Sequence, residues 1–380
     1  MNRLLRIAEY GALALAAAGI SYTAFAISRV RSFRKHLQPA PGGAQPPMTI
    51  LKPLYGEEPL LYENLRSFCE QVYPQHQVIF GARSPNDPAL EIARRLVRDL
   101  PGHDLSAVVT SDSNSPNPKI ANLIGMLPTA KYDILVIADS DIRVGPAYLS
   151  AISAAVHNSN VGAVTCLYGG TPSHDLAAQL GALFVNDRFV PSVLVATALE
   201  PLTYCFGATM AVRRDVLEQI GGLEALAGNL GDDYVLGKLV SDAGHRVALC
   251  PYVVQTTVTD TNLENVWRHQ LRWQRTIRAS RPAGFAGSLV TYGLPLAAIA
   301  ALLSRSPVTA GATLSAALTL RYMLHFEARK TFAPHVDPPA WLVPLSDLFS
   351  LATWAASFFA DDVSWRGSDF RIDAHGKIDE

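Results

Sequence analysis

The chain has 380 residues, enough for one large domain with a full-sized core and further segments beside it. Hydrophobic residues make up 49% and charged residues only 17%, an apolar balance for a water-soluble protein, so part of the surface is expected to face lipid. A formal net charge of -1 lacks the basic excess of a nucleic-acid binder. Cys69, Cys166, Cys205 and Cys250 are widely spaced with no C-x-x-C, which suggests neither a disulfide framework nor a zinc site and fits a reduced compartment.

In chain order, Arg3 and Arg6 precede an apolar run from Tyr10 to about Ile27, and Arg29, Arg31, Arg34, Lys35 and His36 follow it. The run is at the short end of what spans a bilayer. A dense basic cluster stands where a signal-peptide cleavage site would lie, so the segment reads as an uncleaved signal-anchor. The heavier positive flank places the following domain in the cytoplasm. Residues 37–47 (LQPAPGGAQPP) form a Pro/Gly linker, unable to continue a helix.

From Met48, short β-branched runs alternate with amphipathic stretches. MTILKPL (48–54), QVIFGA (77–82), LSAVVT (105–110), DILVIAD (133–139), VGAVTCLY (161–168) and TMAVRR (209–214) predict strands. Leu60–Cys69, Ala89–Asp99 and Tyr148–His157 predict helices between them. Such alternation argues for a doubly wound α/β domain with a mainly parallel sheet, whose ligands bind beyond the carboxyl ends of the strands. After about Ser280, Phe285–Leu303, Val308–Leu320 and Trp341–Phe359 are apolar; Arg321, Pro344 and Asp347 make the last two weaker candidates for spanning. The chain therefore divides into 1–36, 37–47, 48–280 and 281–380.

Four groups of residues can carry chemistry. Asp139-Ser140-Asp141 directly follows a buried-looking strand; both carboxylates can turn towards one hard divalent cation, Mg²⁺ or Mn²⁺, with diphosphate oxygens and water completing its shell. A polar turn capping the next helix is the other reading. Asp232-Asp233, at the mouth of an amphipathic helix, is either a helix N-terminus device or a general base whose proton affinity is raised by its neighbour. Arg268, Arg272 and Arg275 share one helical face around His269-Gln270-Leu271-Arg272-Trp273, suited to diphosphate or to a membrane surface. Asp87 and Lys119 lie in loops beside strands, able to meet uracil or ribose and phosphate respectively, or to be surface turn residues.

Taken in order, Asp87, Asp139-x-Asp141, Asp232-Asp233 and Arg272-Trp273 resemble the aspartate and (Q/R)-x-x-R-W series of ceramide glucosyltransferases. LKPLYGEEPLLYENLRSFCEQVYP, NDPAL, NPKIANL, IADSDIRV, GGLEALA and GDDYVLGKLVSDAG extend the likeness over Met48 to Arg278, and VSWRG with FRI (363–372) in the tail is also similar. The resemblance implies a GT-A type nucleotide-sugar fold over 48–280, flanked by an N-terminal transmembrane helix and C-terminal membrane-associated helices. It implies Asp139 and Asp141 on the metal, and Asp87, Lys119, Asp139 and Gln270 on the nucleotide-sugar. Asp233 is implied as the base, with Asp232, Arg272 and Trp273 around the reacting groups. His269 departs from the family's Gln or Arg, and Asp141 gives a full D-x-D where animal ceramide enzymes tend to show Asp-Ser-Gly.

VTCLYGGTP, GALFVNDRFVPSVLVA and WRHQLRWQRTIRASRP resemble the bacterial hopanoid-biosynthesis glycosyltransferases, which put N-acetylglucosamine on bacteriohopanetetrol. The implied partners are a UDP-sugar donor (UDP-N-acetylglucosamine or UDP-glucose), a hopanoid or ceramide acceptor and a membrane, with no nucleic acid. The implied place is the cytoplasmic face of a bacterial inner membrane. A processive polysaccharide synthase shares the motif scheme but needs more membrane helices for a channel. A membrane scaffold that binds nucleotide-sugar without turnover is the alternative outside enzymes.

Overall fold

The computed structural model describes residues 2–37, 44–110, 115–158, 160–173, 175–229, 231–333, 335, 338–359, 362–365, 368–372 and 378–379; residues 38–43 of the expected linker and parts of the similar tail lie outside them. After helix α1 (Asn2–Lys35) come β1 (Met48–Pro53), α2 (Leu61–Cys69), β2 (His76–Ala82), α3 (Pro88–Asp99), β3 (Asp104–Val109), α4 (Pro118–Met126), β4 (Ile134–Ile137), β5 (Ile142–Arg143), α5 (Tyr148–Val156) and β6 (Val161–Pro172). Then follow α6 (Leu176–Phe184), a π-turn Val185–Phe189, α7 (Val190–Leu199), β7 (Met210–Arg213), α8 (Arg214–Gln219), α9 (Asp232–Asp242), β8 (Arg246–Val258) and α10 (Leu263–Ser280). Helices α11 (Pro282–Gly287), α12 (Gly293–Leu303), α13 (Pro307–Phe332) and α14 (Leu342–Ala356) precede a small sheet of β9 (Asp362–Trp365), β10 (Ser368–Ile372) and β11 (Ile378–Asp379).

The main sheet has the order β3-β2-β1-β4-β7-β6-β8-β5. β1 pairs parallel with β2 and β4, β2 with β3, and β6 with β8, whereas β7 is antiparallel to both β4 and β6. Only β7 and β5, antiparallel to β8, oppose the common direction, so the sheet is mainly parallel as the alternation predicts. Side chains alternate between two cores. Ile50, Val78 and Val136, in register across β1, β2 and β4, pack with Phe68 of α2, Leu90 of α3 and Tyr148 of α5. Leu51, Ile79 and Ile137, one residue on, pack with Ile120 and Leu123 of α4 and Leu236 of α9. Strand order reverses around β1 and β4, which opens a crevice at their carboxyl ends.

The helix that carries the apolar N-terminal run extends over both basic flanks, from Asn2 to Lys35. Arg3–Lys35 and Leu176–Leu199 are both long and apolar enough to cross a membrane. The expected segment Phe285–Leu303 is instead bent by 63° between Pro282–Thr291 and Gly293–Leu303, and α14 is a shorter apolar helix. α1 packs on α12 and α13 through Ala16, Ala297, Ala300 and Ala317, and on α7 through Ala26, Ile27 and Val30. Small residues allow this close crossing. The basic flank is partly engaged inside the protein: Arg31 and Arg34 bind Glu327 of α13 at 3.0 and 2.6 Å.

The tightest point of that crossing is Gly19, where a Cβ would stand 2.6 Å from Gly293 Cα. Gly19→Ala is expected to lower the thermal midpoint in detergent, because overpacking of about 1–3 kcal/mol exceeds the gain of about 1 kcal/mol in helix propensity. Gly11→Ala, with nothing within 4 Å of the new Cβ, should hold or raise it. Equal midpoints for the two variants would refute the crossing.

Candidate active site

The crevice is assembled from three distant segments. Pro118 stands in the first turn of α4, and the Asn117 side chain caps it by accepting from Lys119 N at 3.0 Å and Ile120 N at 3.3 Å. Asn117 also donates to Asn229 O at 2.8 Å, tying α4 to the loop before α9. The capped turn aims Lys119 inward, where its Nζ lies 2.9 Å from Asp139 Oδ1, just past β4, and 2.9 Å from Asp232 Oδ2 at the start of α9. The second contact pairs the ammonium with a buried carboxylate. Asp233 Oδ2 accepts from Gly207 N at 2.8 Å, and Oδ1 from Tyr234 N at 2.8 Å.

Gly207 sits among these groups. A Cβ there would stand 2.9 Å from Asp139 Oδ2 and 3.6 Å from both Asp233 Oδ2 and Lys119 Nζ. Only a residue without a side chain lets the 207 loop pass this close. The cap of α9 is Gly231, with no side-chain hydrogen bond, so the acidic pair occupies the first helical turn rather than the cap position.

Charge is concentrated here under partial burial. Burial would pull the Lys119 ammonium down, but Asp139, Asp232 and Asp233 more than reverse it and hold it charged. Burial, with Asp232 beside it, pushes the Asp233 carboxyl up to about 6, and burial also raises Asp232. Asp141 is raised by burial and by Asp139; its Oδ2 accepts from Thr256 Oγ1 of β8 at 2.6 Å.

Sequence reasoning missed Lys52. It is buried in β1 with its Nζ 3.8 Å from the Phe68 ring centroid, and it donates to the backbone carbonyl of Asp139. Burial lowers it to about 7 against the pull of Asp141 and Asp139. A lysine inside the apolar run MTILKP was the available signal. Thr256, Gly207 and Tyr168 carried none. Tyr168, in the second half of β6, feels Asp233, Asp141, Asp139 and Arg272 together, which puts Arg272 in the same neighbourhood.

Other expected residues make local contacts. Asp87 caps α3 through Ala89 N at 2.9 Å and clamps the loop after β1 through Gly56 N at 3.0 and 3.2 Å. Gln270, expected on the nucleotide, is buried: its Oε1 accepts from Ser350 at 3.3 Å and Thr353 at 3.4 Å of α14, and its Nε2 has no hydrogen-bond partner among the described residues. Arg268 pairs with Glu264 one turn back on an exposed face. His269 lies 3.7 Å from Asp260 and packs edge-on to Trp273 at 4.8 Å. Trp273 joins an aromatic wall with Tyr168, Phe184 and Phe189.

The cluster provides oxygen donors only, which suits a hard divalent cation. Asp139, Asp141, Asp232 and Asp233 face the ammonium groups of Lys52 and Lys119, leaving negative charge in excess. Among the described residues no three or more His, Cys, Asp or Glu side chains group as a complete metal site. Any ion held by Asp139 and Asp141 would therefore draw its remaining ligands from a bound diphosphate or water.

A buried carboxylate whose affinity for protons is raised favours the folded state at low pH and opposes it as pH rises through about 6. Asp233→Asn is therefore expected to raise the thermal midpoint above pH 6, with the advantage fading as pH falls towards the ordinary carboxylate range. A midpoint lowered equally at every pH would contradict the strained state of this group.

The model of glycosyl transferase family 21 matches residues 11–378. Ceramide glucosyltransferase 1 of Caenorhabditis elegans is 22% identical over 251 residues, 66% of this chain and 54% of that protein. The ceramide glucosyltransferase of Komagataella phaffii (strain GS115 / ATCC 20864) is 35% identical over 143 residues, 36% of this chain and 28% of that protein. The chain spans about half the length of the first of these relatives. The fold is similar to that of a mannosyltransferase from Pyrobaculum calidifontis, solved in complex with GDP-Man and Mn²⁺, with a TM-score of 0.51, 20% identity, and coverage of 93% of this chain and 99% of that one. Sheet order, crevice and family match agree: the fold is of the GT-A type, and the chain belongs to glycosyl transferase family 21.

Proposed function

We propose that this protein is a membrane-attached inverting glycosyltransferase that moves a sugar from a UDP-sugar to a lipid hydroxyl. The observation that carries the reading is the meeting of Asp139 and Asp232 on Lys119, with Asp233 across Gly207. A divalent ion would be held by Asp139 and Asp141. When bound, Mg²⁺ or Mn²⁺ supplies a Lewis acid that offsets charge on the departing diphosphate.

Asp233 takes the proton of the acceptor hydroxyl as its oxygen attacks the anomeric carbon. The bond from that carbon to the diphosphate breaks on the opposite face, and the nucleoside diphosphate leaves. Lys119, held by Asp139 and Asp232, and Arg272 are cations near the crevice whose charge would favour the developing anion. Burial gives Asp233 a proton affinity high enough to accept a proton yet low enough to be ionised near neutrality. Residues 48–280 form the catalytic unit in this reading, with 1–36 an anchor and 281–380 membrane-associated. The basic C-terminal end of α1 supports a cytoplasmic face in a bacterial inner membrane.

For the acceptor, the likeness of GALFVNDRFVPSVLVA and WRHQLRWQRTIRASRP to hopanoid glycosyltransferases supports N-acetylglucosamine transfer to bacteriohopanetetrol. A ceramide acceptor is the second reading, favoured by the names of the curated relatives. Neither choice follows from the residue chemistry of the crevice.

Incubating membranes that contain the protein with labelled UDP-N-acetylglucosamine or UDP-glucose, and identifying the labelled lipid, tests donor and acceptor together. Asp233→Asn is expected to abolish transfer while UDP-sugar binding survives; retained turnover rejects Asp233 as the base. In the native protein kcat/KM should fall below pH about 6 as Asp233 takes up a proton. Asp139→Ala should weaken metal-dependent UDP-sugar binding at least tenfold by calorimetry, and unchanged affinity would remove it from the metal site.

A further inference from the structure

The π-turn Val185–Phe189 interrupts an otherwise continuous apolar helix, Leu176–Leu199. Each residue of an α-helix turns by about 100°, and a π-turn inserts an extra residue, so the faces before and after it are offset. Upstream, Leu180 and Leu183 pack against Val266, Leu342 and Val343. Downstream, Val190, Val193 and Leu194 pack against Ala26, Ile27 and Val30 of α1. The offset lets one helix serve both surfaces.

Each polar residue of the turn holds a different element. Asn186 donates to Gly170 O at 2.8 Å and accepts from Gly170 N at 2.7 Å, gripping β6 by both backbone groups. Asp187 is buried against α13, 3.0 Å from Arg321 and 2.7 Å from His325. Arg188 donates to Thr291 Oγ1 at 3.0 Å, lies 3.4 Å from Asp347 of α14 and stacks 3.8 Å from the Tyr292 ring centroid. The next residue, Phe189, meets Tyr168 at 5.2 Å, Phe206 at 5.6 Å and Trp273 at 6.1 Å between ring centroids. Phe206 immediately precedes Gly207, whose N–H holds Asp233.

We propose that this π-turn is a positioning device for the acceptor side of the crevice. Its three polar residues fix the turn to the sheet and to the membrane helices, and so fix Phe189, Trp273 and Tyr168 as a wall beside Asp233. The proposal rests on the reading of the chain as a lipid glycosyltransferase. A hydroxyl on a lipid that stays in the bilayer must approach Asp233 from the membrane-helix side, where this wall stands. The donor contacts, Lys119 and Asp139, lie on other elements. Losing the turn's grip therefore harms transfer to lipid more than handling of the UDP-sugar. Asn186 is the residue to change, because it is uncharged and its removal leaves the Asp187 and Arg188 ion pairs in place.

The test uses the full chain in lipid nanodiscs. Asn186→Ala is expected to lower kcat for transfer to the lipid at least tenfold, leaving KM for the UDP-sugar and its slow hydrolysis by water unchanged. Arg188→Lys, a milder change that keeps the charge, should raise KM for the acceptor in the same selective way. Loss of hydrolysis and transfer in equal measure, or no loss of transfer, would overturn the proposal. An activity-free readout separates it from the assigned reaction: with Trp267, Trp341, Trp354 and Trp365 changed to Phe, acrylamide should quench Trp273 more strongly once Asn186→Ala is added. Unchanged quenching overturns the positioning role. Absence of sugar transfer by the native protein overturns the function instead.

Discussion

The ammonium of Lys119, held between Asp139 and Asp232, is the contact on which the shape of the crevice depends. It joins the start of α4, the end of β4 and the start of α9, segments far apart in the chain. All three groups are largely withdrawn from water or partly so, and an unpaired charge in such a place costs several kcal/mol. Without the lysine, Asp139 and Asp232 would repel across the gap. With it, the 207 loop can be drawn so close that no side chain fits at Gly207. The Asn117 cap and its bond to Asn229 fix where the lysine points.

Much of this fold could be read before the structure, for identifiable reasons. β1, β2 and β4 are buried on both faces, so their sequences are near-continuous apolar runs that announce strands. α3 carries Asp87-Pro88 as cap and first-turn signal. β8 was not among the expected strands: RVALCPYVVQTTV carries a proline at its centre and Gln-Thr-Thr before its last valine, which break the apolar pattern; the register slips between β6 and β8 near Cys166 and Leu167 accommodate this irregular strand. Leu176–Leu199 was missed as a membrane-length helix because Asn186-Asp187-Arg188 interrupt its apolar run. In three dimensions those residues are neutralised by Gly170, Arg321 and Asp347, partners that no local window contains.

The site was legible as a set of residue types and less so as a set of directions. Asp139, Asp232 and Asp233 sit at element ends, where a short side chain has little choice about where it points, and Lys119 is aimed by the Asn117 cap. Gln270 and Arg268 lie within α10, where one step changes the direction by about 100°. A motif names the helix but not the face, and Gln270 faces α14 while Arg268 faces Glu264. Lys52 shows the converse: it lies in a strand whose alternation is obscured by burial on both faces, so its direction towards the Asp139 carbonyl had no sequence signature beyond its being charged.

Three consecutive residues of β6 show why the crevice and the membrane helices behave as one unit. Tyr168 shares the electrostatic neighbourhood of the carboxylates. Gly169 lies so close to the end of α13 that a Cβ would stand 2.0 Å from Phe332 O, a carbonyl that also accepts from Gln255 of β8 at 2.9 Å. Gly170 is gripped by Asn186 of the π-turn. Over these three residues β6 is paired with β8, β7 having paired only with Ala163–Thr165. Displacing α13 or the π-turn relative to the sheet must therefore break backbone contacts at Gly169 or Gly170, one or two residues from Tyr168. The helices packed on this side of the sheet and the carboxylates that carry the proposed chemistry are thus connected by the shortest route a polypeptide offers.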